Sequence, residues 1–137
     1  MARDIIHNAV KNALVNDGWK ITADPYRIKY KTLEVQADLA ADRPIAAEKG
    51  AEKIVVEVKS FLGRALLHEL YIALGQYTFY LRLLEKTAPE RKLYLAVSDV
   101  VYNDFFQIEA VLMAVQESHL SILVVNITTE EIVRWIN

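Results

Sequence analysis

The chain has 137 residues, 53% of them hydrophobic and 25% charged, with no cysteine; this excludes a disordered chain, a disulfide scaffold and a thiolate metal site, and fits one domain over 1–137 with a substantial core. No apolar run approaches the roughly 18–20 residues that span a bilayer, and the opening Met-Ala-Arg-Asp-Ile-Ile-His lacks the basic-then-apolar layout of a secretory signal, so a cytoplasmic protein with no membrane partner is expected. The net charge of −2 counts against tight sequence-independent binding of DNA, which rests on a basic surplus, unless a basic partner or a local cluster such as Arg27, Lys29 and Lys31 supplies the attraction.

Ile6, Ala9, Val10, Ala13 and Leu14 recur at helical spacing, and Gly18 follows as a stop signal, predicting a first helix near residues 3–17. Residues 26–31 and 33–41 read as strands. In the second, Leu33, Val35, Ala37 and Leu39 share one face, and Glu34, Gln36 and Asp38 the other. Residues 42–50 read as a connecting loop before a strand at 52–59. Leu66, Leu70, Leu74, Tyr77, Leu81 and Leu84 mark one long helix between Gly63 and Pro89. Leu93–Val97 and Ile122–Val125 are continuously apolar, the pattern of strands buried on both faces, with a helix near 102–118 between them. Thr128 and Glu131 form a capping signal for a last helix ending at Trp135-Ile136. Strands alternating with helices imply an α/β sandwich, a mixed sheet covered on both sides.

The segment Lys53-Ile-Val-Val-Glu-Val-Lys-Ser60 is the most informative. Alternation turns Ile54, Val56 and Val58 one way, and Val55, Glu57 and Lys59 the other. An acid and an ammonium among valines need partners or a task. If this strand pairs with the one before it, Asp38 sits beside Glu57 and Lys59. Two carboxylates suit a hard divalent cation such as Mg²⁺, and a lysine beside them can orient or deprotonate a water and neutralise a developing oxyanion. On the long helix, Glu69, Gln76 and Tyr80 fall on one flank, with Gln76 and Tyr80 one turn apart. His7 borders the apolar face of the first helix, beside Lys11.

Plainer readings stand beside these. Glu-x-Lys on a strand is commonly a solvated ion pair, Asp38 a turn or strand-edge acid, Tyr80 a core tyrosine with a satisfied hydroxyl, and His7 a surface or core histidine. His68 and His119 have no companions. Trp19, Trp135 and the tyrosines read as core or interface aromatics, and Arg64 and Arg82 as solvated.

Asp38, Glu57-Val-Lys59 and Gln76-x-x-x-Tyr80, in this order on strand, strand and helix, resemble the PD-(D/E)XK nuclease superfamily. The Gln/Tyr pair is similar to its RecB-like branch, in which a histidine on the first helix also contributes, a role that would fall to His7. More narrowly, Ala-Arg-Asp-Ile-Ile-His-Asn-Ala-Val-Lys at the start and Ile54-Val-Val-Glu-Val-Lys-Ser-Phe-Leu62 resemble the XisH family, the fdxN element excision controlling factors of cyanobacteria, over essentially the whole chain. The one departure from the superfamily pattern is Ala37, where a proline often precedes the acid.

The resemblance implies an α/β, restriction-endonuclease-like mixed sheet flanked by helices. It implies a role in excising a DNA element during heterocyst differentiation, beside a site-specific recombinase and a second excision controlling factor. Asp38 and Glu57 would bind Mg²⁺ or Mn²⁺, Lys59 would handle the attacking water, Gln76 and Tyr80 would orient lysine and phosphate, and His7 and Glu69 would be outer contributors. No recombinase nucleophile motif is present. The competing expectation is a catalytically inactive nuclease fold that binds DNA, the recombinase or the second factor, with Trp135 at a protein interface. A homodimer is expected by analogy with nucleases that cut two strands.

Overall fold

The structure, a computed structural model, describes residues 2–44 and 50–137. Helix α1 (Ala2–Asn16) ends at Gly18, whose φ of +93° turns the chain out of the helix, as its stop signal predicts. Strands β1 (Lys20–Ala23), β2 (Tyr26–Tyr30), β3 (Leu33–Ala37), β4 (Leu39–Pro44) and β5 (Ala51–Val58) precede the long helix α2 (Leu66–Thr87). Strand β6 (Lys92–Ser98), helices α3 (Asp99–Asn103) and α4 (Glu109–Glu117), and strands β7 (Ile122–Asn126) and β8 (Glu131–Ile136) complete it. Among the described residues no helix is long and apolar enough to cross a membrane.

Six strands form one mixed sheet in the order β1-β4-β5-β6-β7-β8, parallel at β5-β6-β7 and antiparallel at both margins. The expected α/β class, a mixed sheet between helices, is what the chain adopts. Alternation sorts the core into two layers. Ile54 and Val56 of β5 face α1, where they meet Ile6, Val10, Ala13 and Leu14. Val55 faces the other way, toward Leu70, Tyr77 and Leu84 of α2 and Phe106. Strands β2 and β3 form a separate antiparallel ribbon packed on the α2 side through Ile28 and Ala37.

Four expectations are corrected. The strand expected at 33–41 is two strands: β3 pairs with β2, β4 pairs with β1 and β5, and the chain changes partners at Asp38. The loop expected at 42–50 begins later, because β4 runs through Pro44; residues 45–49 lie outside the described residues. The helix expected near 102–118 starts at Asp99, capped by Ser98, whose hydroxyl accepts from the Val101 amide at 3.1 Å. It then breaks at a 3₁₀ turn, Phe105–Gln107, which buries Phe105 and Phe106 and separates α3 from α4.

The last element is a strand, not a helix. Asn126 Oδ1 accepts from the amides of Thr128 and Thr129 at 2.9 and 3.0 Å, and Glu130 adopts φ +56°. That is a turn, and it delivers β-branched Ile132 and Ile136 to pair antiparallel with β7, with Val133 at a register irregularity between them. Trp135 packs edge-on to Tyr94 at 4.8 Å and tilted on Trp19 at 5.7 Å, so its ring belongs to the α1-side layer.

Candidate functional site

The site forms where β4 leaves the ribbon and β5 nears its end. The register Leu39↔Val56 brings Asp38 level with Glu57, and each acid accepts from a backbone amide of the other's segment. The Asp38 amide donates to Glu57 Oε1 at 3.2 Å, and the Val58 amide donates to Asp38 Oδ2 at 2.7 Å. Lys59 Nζ stands 3.4 Å from Glu57 Oε2. Glu57 is only 7% exposed. Burial, and next the Asp38 carboxylate, push its carboxyl up to about 7, against the opposing pull of Lys59. At pH 7 the Glu57 carboxyl is therefore about half protonated.

Helix α2 closes the far side. Tyr80 donates to the Gln36 carbonyl at 3.2 Å, tying the helix to the strand that leads into Asp38. Gln76 Nε2 reaches the Tyr80 hydroxyl at 3.5 Å, while Gln76 Oε1 is buried without a partner among the described residues. Burial, with the charges of Glu57 and Asp38, raises the Tyr80 hydroxyl above its ordinary value, so it remains a donor. A cleft of about 400 Å³ opens between these parts, lined by His7, Asp38, Lys59, Glu69, Ile72 and Gln76 among others. The structure thus brings together all seven residues singled out in the sequence: five line the cleft, and Glu57 and Tyr80 stand behind them. Glu69 differs in kind from the others. Its Oε2 accepts from the Gly63 amide at 3.1 Å, and a Cβ on Gly63 would approach that oxygen to 2.9 Å, so Glu69 also fastens the connection from β5 to α2.

Among the described residues no three His, Cys, Asp or Glu side chains gather in a metal-binding arrangement. The donors on offer are two carboxylates, hard oxygens that suit Mg²⁺ or Mn²⁺, cations that keep several waters rather than demanding a full protein cage.

The family model of XisH proteins matches residues 1–133. The chain belongs to the XisH family. Two solved structures resemble it throughout. An XisH family protein from Nostoc punctiforme PCC 73102 is 41% identical with a TM-score of 0.89, and an fdxN element excision controlling factor protein from Anabaena variabilis is 40% identical with a TM-score of 0.90. Each comparison covers 98% of this chain and 100% of the other. Among curated proteins none matches it.

In this XisH chain three further residues shape the site. Asp24, in the β1–β2 turn, accepts from His7 Nε2 at 3.0 Å and from Lys11 Nζ at 2.8 Å. Burial pushes the Asp24 carboxyl up, but the Lys11 hydrogen bond and the charges of His7 and Lys11 outweigh it and hold it below the usual range. An ionised carboxylate only accepts, so Nε2 carries the hydrogen and Nδ1 is turned toward Asp38 Oδ1, 4.0 Å away. The i,i+4 spacing of His7 and Lys11 was visible in sequence; their shared acid, 17 and 13 residues on, was not. Replacing Asp24 by Asn is expected to release His7 and to lower stability by about 1 kcal/mol, since the bonds are partly exposed. Urea unfolding reads the second effect and ¹⁵N shifts of the His7 ring the first; unchanged ring shifts would refute the anchoring. The third residue is Phe61, held at φ +50° just beyond β5. That conformation costs a non-glycine residue about 1–2 kcal/mol. Its buried ring, edge-on to Phe106 at 5.4 Å, keeps it there and shapes the cleft wall.

Proposed function

We propose that this XisH protein is a divalent-metal-dependent endonuclease of the PD-(D/E)XK type, RecB-like branch, acting as an excision controlling factor for a DNA element. The observation that carries the reading is the reciprocal lock of Asp38 and Glu57 with Lys59 against them, faced by Gln76 and Tyr80. The excision role is supported by the name of the relative from Anabaena variabilis, an fdxN element excision controlling factor protein.

Asp38 and Glu57 would hold Mg²⁺ or Mn²⁺, and two features of the site fit a cation. Burial, and next the Asp38 carboxylate, disfavour the charged form of Glu57, and a cation between the two acids would offset both costs. Gln76 Oε1, buried and unpartnered, awaits a donor that an ordered water or the Lys59 ammonium supplies. A cation held by Asp38 and Glu57 would supply polarisation of the phosphoryl group and a more acidic water. Lys59 holds the attacking water, and its ammonium meets the charge that develops on the phosphoryl oxygens. Hydrolysis forms a bond from that water's oxygen to phosphorus and breaks the bond to the leaving oxygen, which takes up a proton. Tyr80 fixes the helix against Gln36 and so keeps Gln76 facing the reacting group. The recombinase, the second controlling factor and a second copy of this chain are the proposed partners.

A second reading, a catalytically inactive nuclease fold that binds DNA, the recombinase or the second factor, is favoured by the net charge of −2 and by the lack of a third metal-ligating side chain among the described residues. Nicking of supercoiled plasmid with Mn²⁺, by wild type, Lys59→Ala and Asp38→Ala, separates the two. Cleavage by wild type alone is the expected result. No cleavage by any of three folded proteins favours the inactive fold.

A further inference from the structure

The β2–β3 ribbon is a short, rigid, basic arm rooted in the site. Its inner face is fixed: Ile28 and Ala37 are buried against the α2-side core, and the Arg91 guanidinium lies 5.3 Å from the Tyr26 ring. Its base is fixed too, since Tyr80 holds the Gln36 carbonyl and the chain passes from β3 into Asp38. Alternation then sends Arg27 and Lys29 to the outer face, both exposed, with Lys31 at the tip leaning over the Tyr30 ring at 5.5 Å.

Six cations elsewhere, among them Arg43 and Arg91, are engaged in ion pairs; among the described residues Arg27, Lys29 and Lys31 are in none. Residues 26–37 carry these three cations against one acid, Glu34, so a surplus of +2 sits in a chain whose net is −2, leaving −4 to the rest. Glu34 stands directly across from Lys29 in the ribbon register. Residues two apart on a strand are separated by about 6.6 Å, close to twice the ~3.4 Å rise between phosphates on one strand of a duplex.

We infer that the outer face of the β2–β3 ribbon tracks the phosphate backbone of a nucleic acid and leads it to the Asp38/Glu57/Lys59 cleft. The inference rests on the nuclease reading of that cleft, and it answers how an acidic protein attracts a polyanion: the attraction is local. A ladder of exposed cations ending at a buried and a cleft-lining acid suits a duplex or strand whose backbone passes along the ribbon, with one phosphate entering the cleft.

The test is binding of a fluorescein-labelled DNA duplex, followed by anisotropy in EDTA so that nothing is cut, across a salt series. Arg27→Gln/Lys29→Gln/Lys31→Gln should bind on the order of a hundredfold more weakly at low salt, with a log K against log salt slope shallower by about 2–3. Glu34→Gln should bind about threefold more tightly, a gain that misfolding cannot mimic. Wild-type binding with an unchanged slope in the triple variant overturns the ribbon and leaves the cleft reading intact. No binding by wild type overturns both. Binding of phosphatidylserine vesicles or a polyglutamate peptide in preference to the duplex, lost in the triple variant, overturns the nucleic-acid assignment of the ribbon alone.

Discussion

Lys59→Met is expected to reduce metal-dependent cleavage by a factor on the order of 10²–10⁴, while Mn²⁺ binding at pH 8 stays within a few-fold of wild type. Lys59 sits at the mouth of the cleft with its side chain 22% exposed, and it contacts Glu57 from the side away from the Asp38 amide. Nothing in the reciprocal lock of the two acids depends on it. Its loss removes a neighbouring charge that pulls Glu57 down, so the Glu57 carboxyl rises further and Mn²⁺ affinity at pH 6 falls more than at pH 8. Methionine keeps an apolar stem of similar length and removes only the ammonium. Asp38→Asn should behave in the opposite sense. The amide oxygen still accepts from Val58, so the fold holds, but one of two anionic donors is gone and Mn²⁺ affinity drops. Calorimetric titration beside plasmid nicking separates the two effects. A Lys59→Met protein that cleaves at the wild-type rate removes the role assigned to the ammonium.

How much of this was visible beforehand depends on the range over which each signal acts. Strict alternation through Val55, Glu57 and Lys59 is a local pattern, and it assigned both the strand and the face that carries the candidate site. The i,i+4 pair of Gln76 and Tyr80 is local too, and α2 presents both side chains toward the site. Asp38 was placed beside Glu57 for the right reason, pairing of neighbouring strands, although alternation runs unbroken from Val35 through Leu39 and so concealed the change of partner at Asp38. That change matters, because a residue at the junction of two sheets is free of the ladder on one side and can turn its carboxylate onto the Val58 amide.

The misses share a cause. A capping pattern at Thr128 and Glu131 is common to helix starts and to turns, and the choice is made by β7, whose free edge accepts Ile132 through Ile136 as a strand. Asp24 has no local signature as an anchor for His7; the two meet only because β1 lies beside α1. The orphaned Gln76 oxygen is likewise a property of packing, which no periodicity records.

The pH dependence of stability should be set largely by Glu57. Its carboxyl lies at about 7 in the folded protein against an ordinary value of 4.5. Between these values the folded protein keeps a proton that the unfolded chain has released. Stability from this group is therefore fully present below about pH 4.5, and it is lost as pH rises through 7, by about 3 kcal/mol. Urea unfolding of the metal-free protein is expected to give a lower stability at pH 8 than at pH 5. Glu57→Gln should flatten that slope. Glutamine keeps the oxygen that accepts from the Asp38 amide and carries no charge to bury, so the variant should match wild type near pH 5 and exceed it at pH 8. Millimolar Mn²⁺ should then stabilise wild type at pH 8, where the cation takes the place of the missing proton, and leave Glu57→Gln nearly unmoved. An equally steep pH slope in Glu57→Gln would mean that the carboxylate is ionised without penalty, and that the cost of burying it beside Asp38, on which the cation-binding reading leans, is not there.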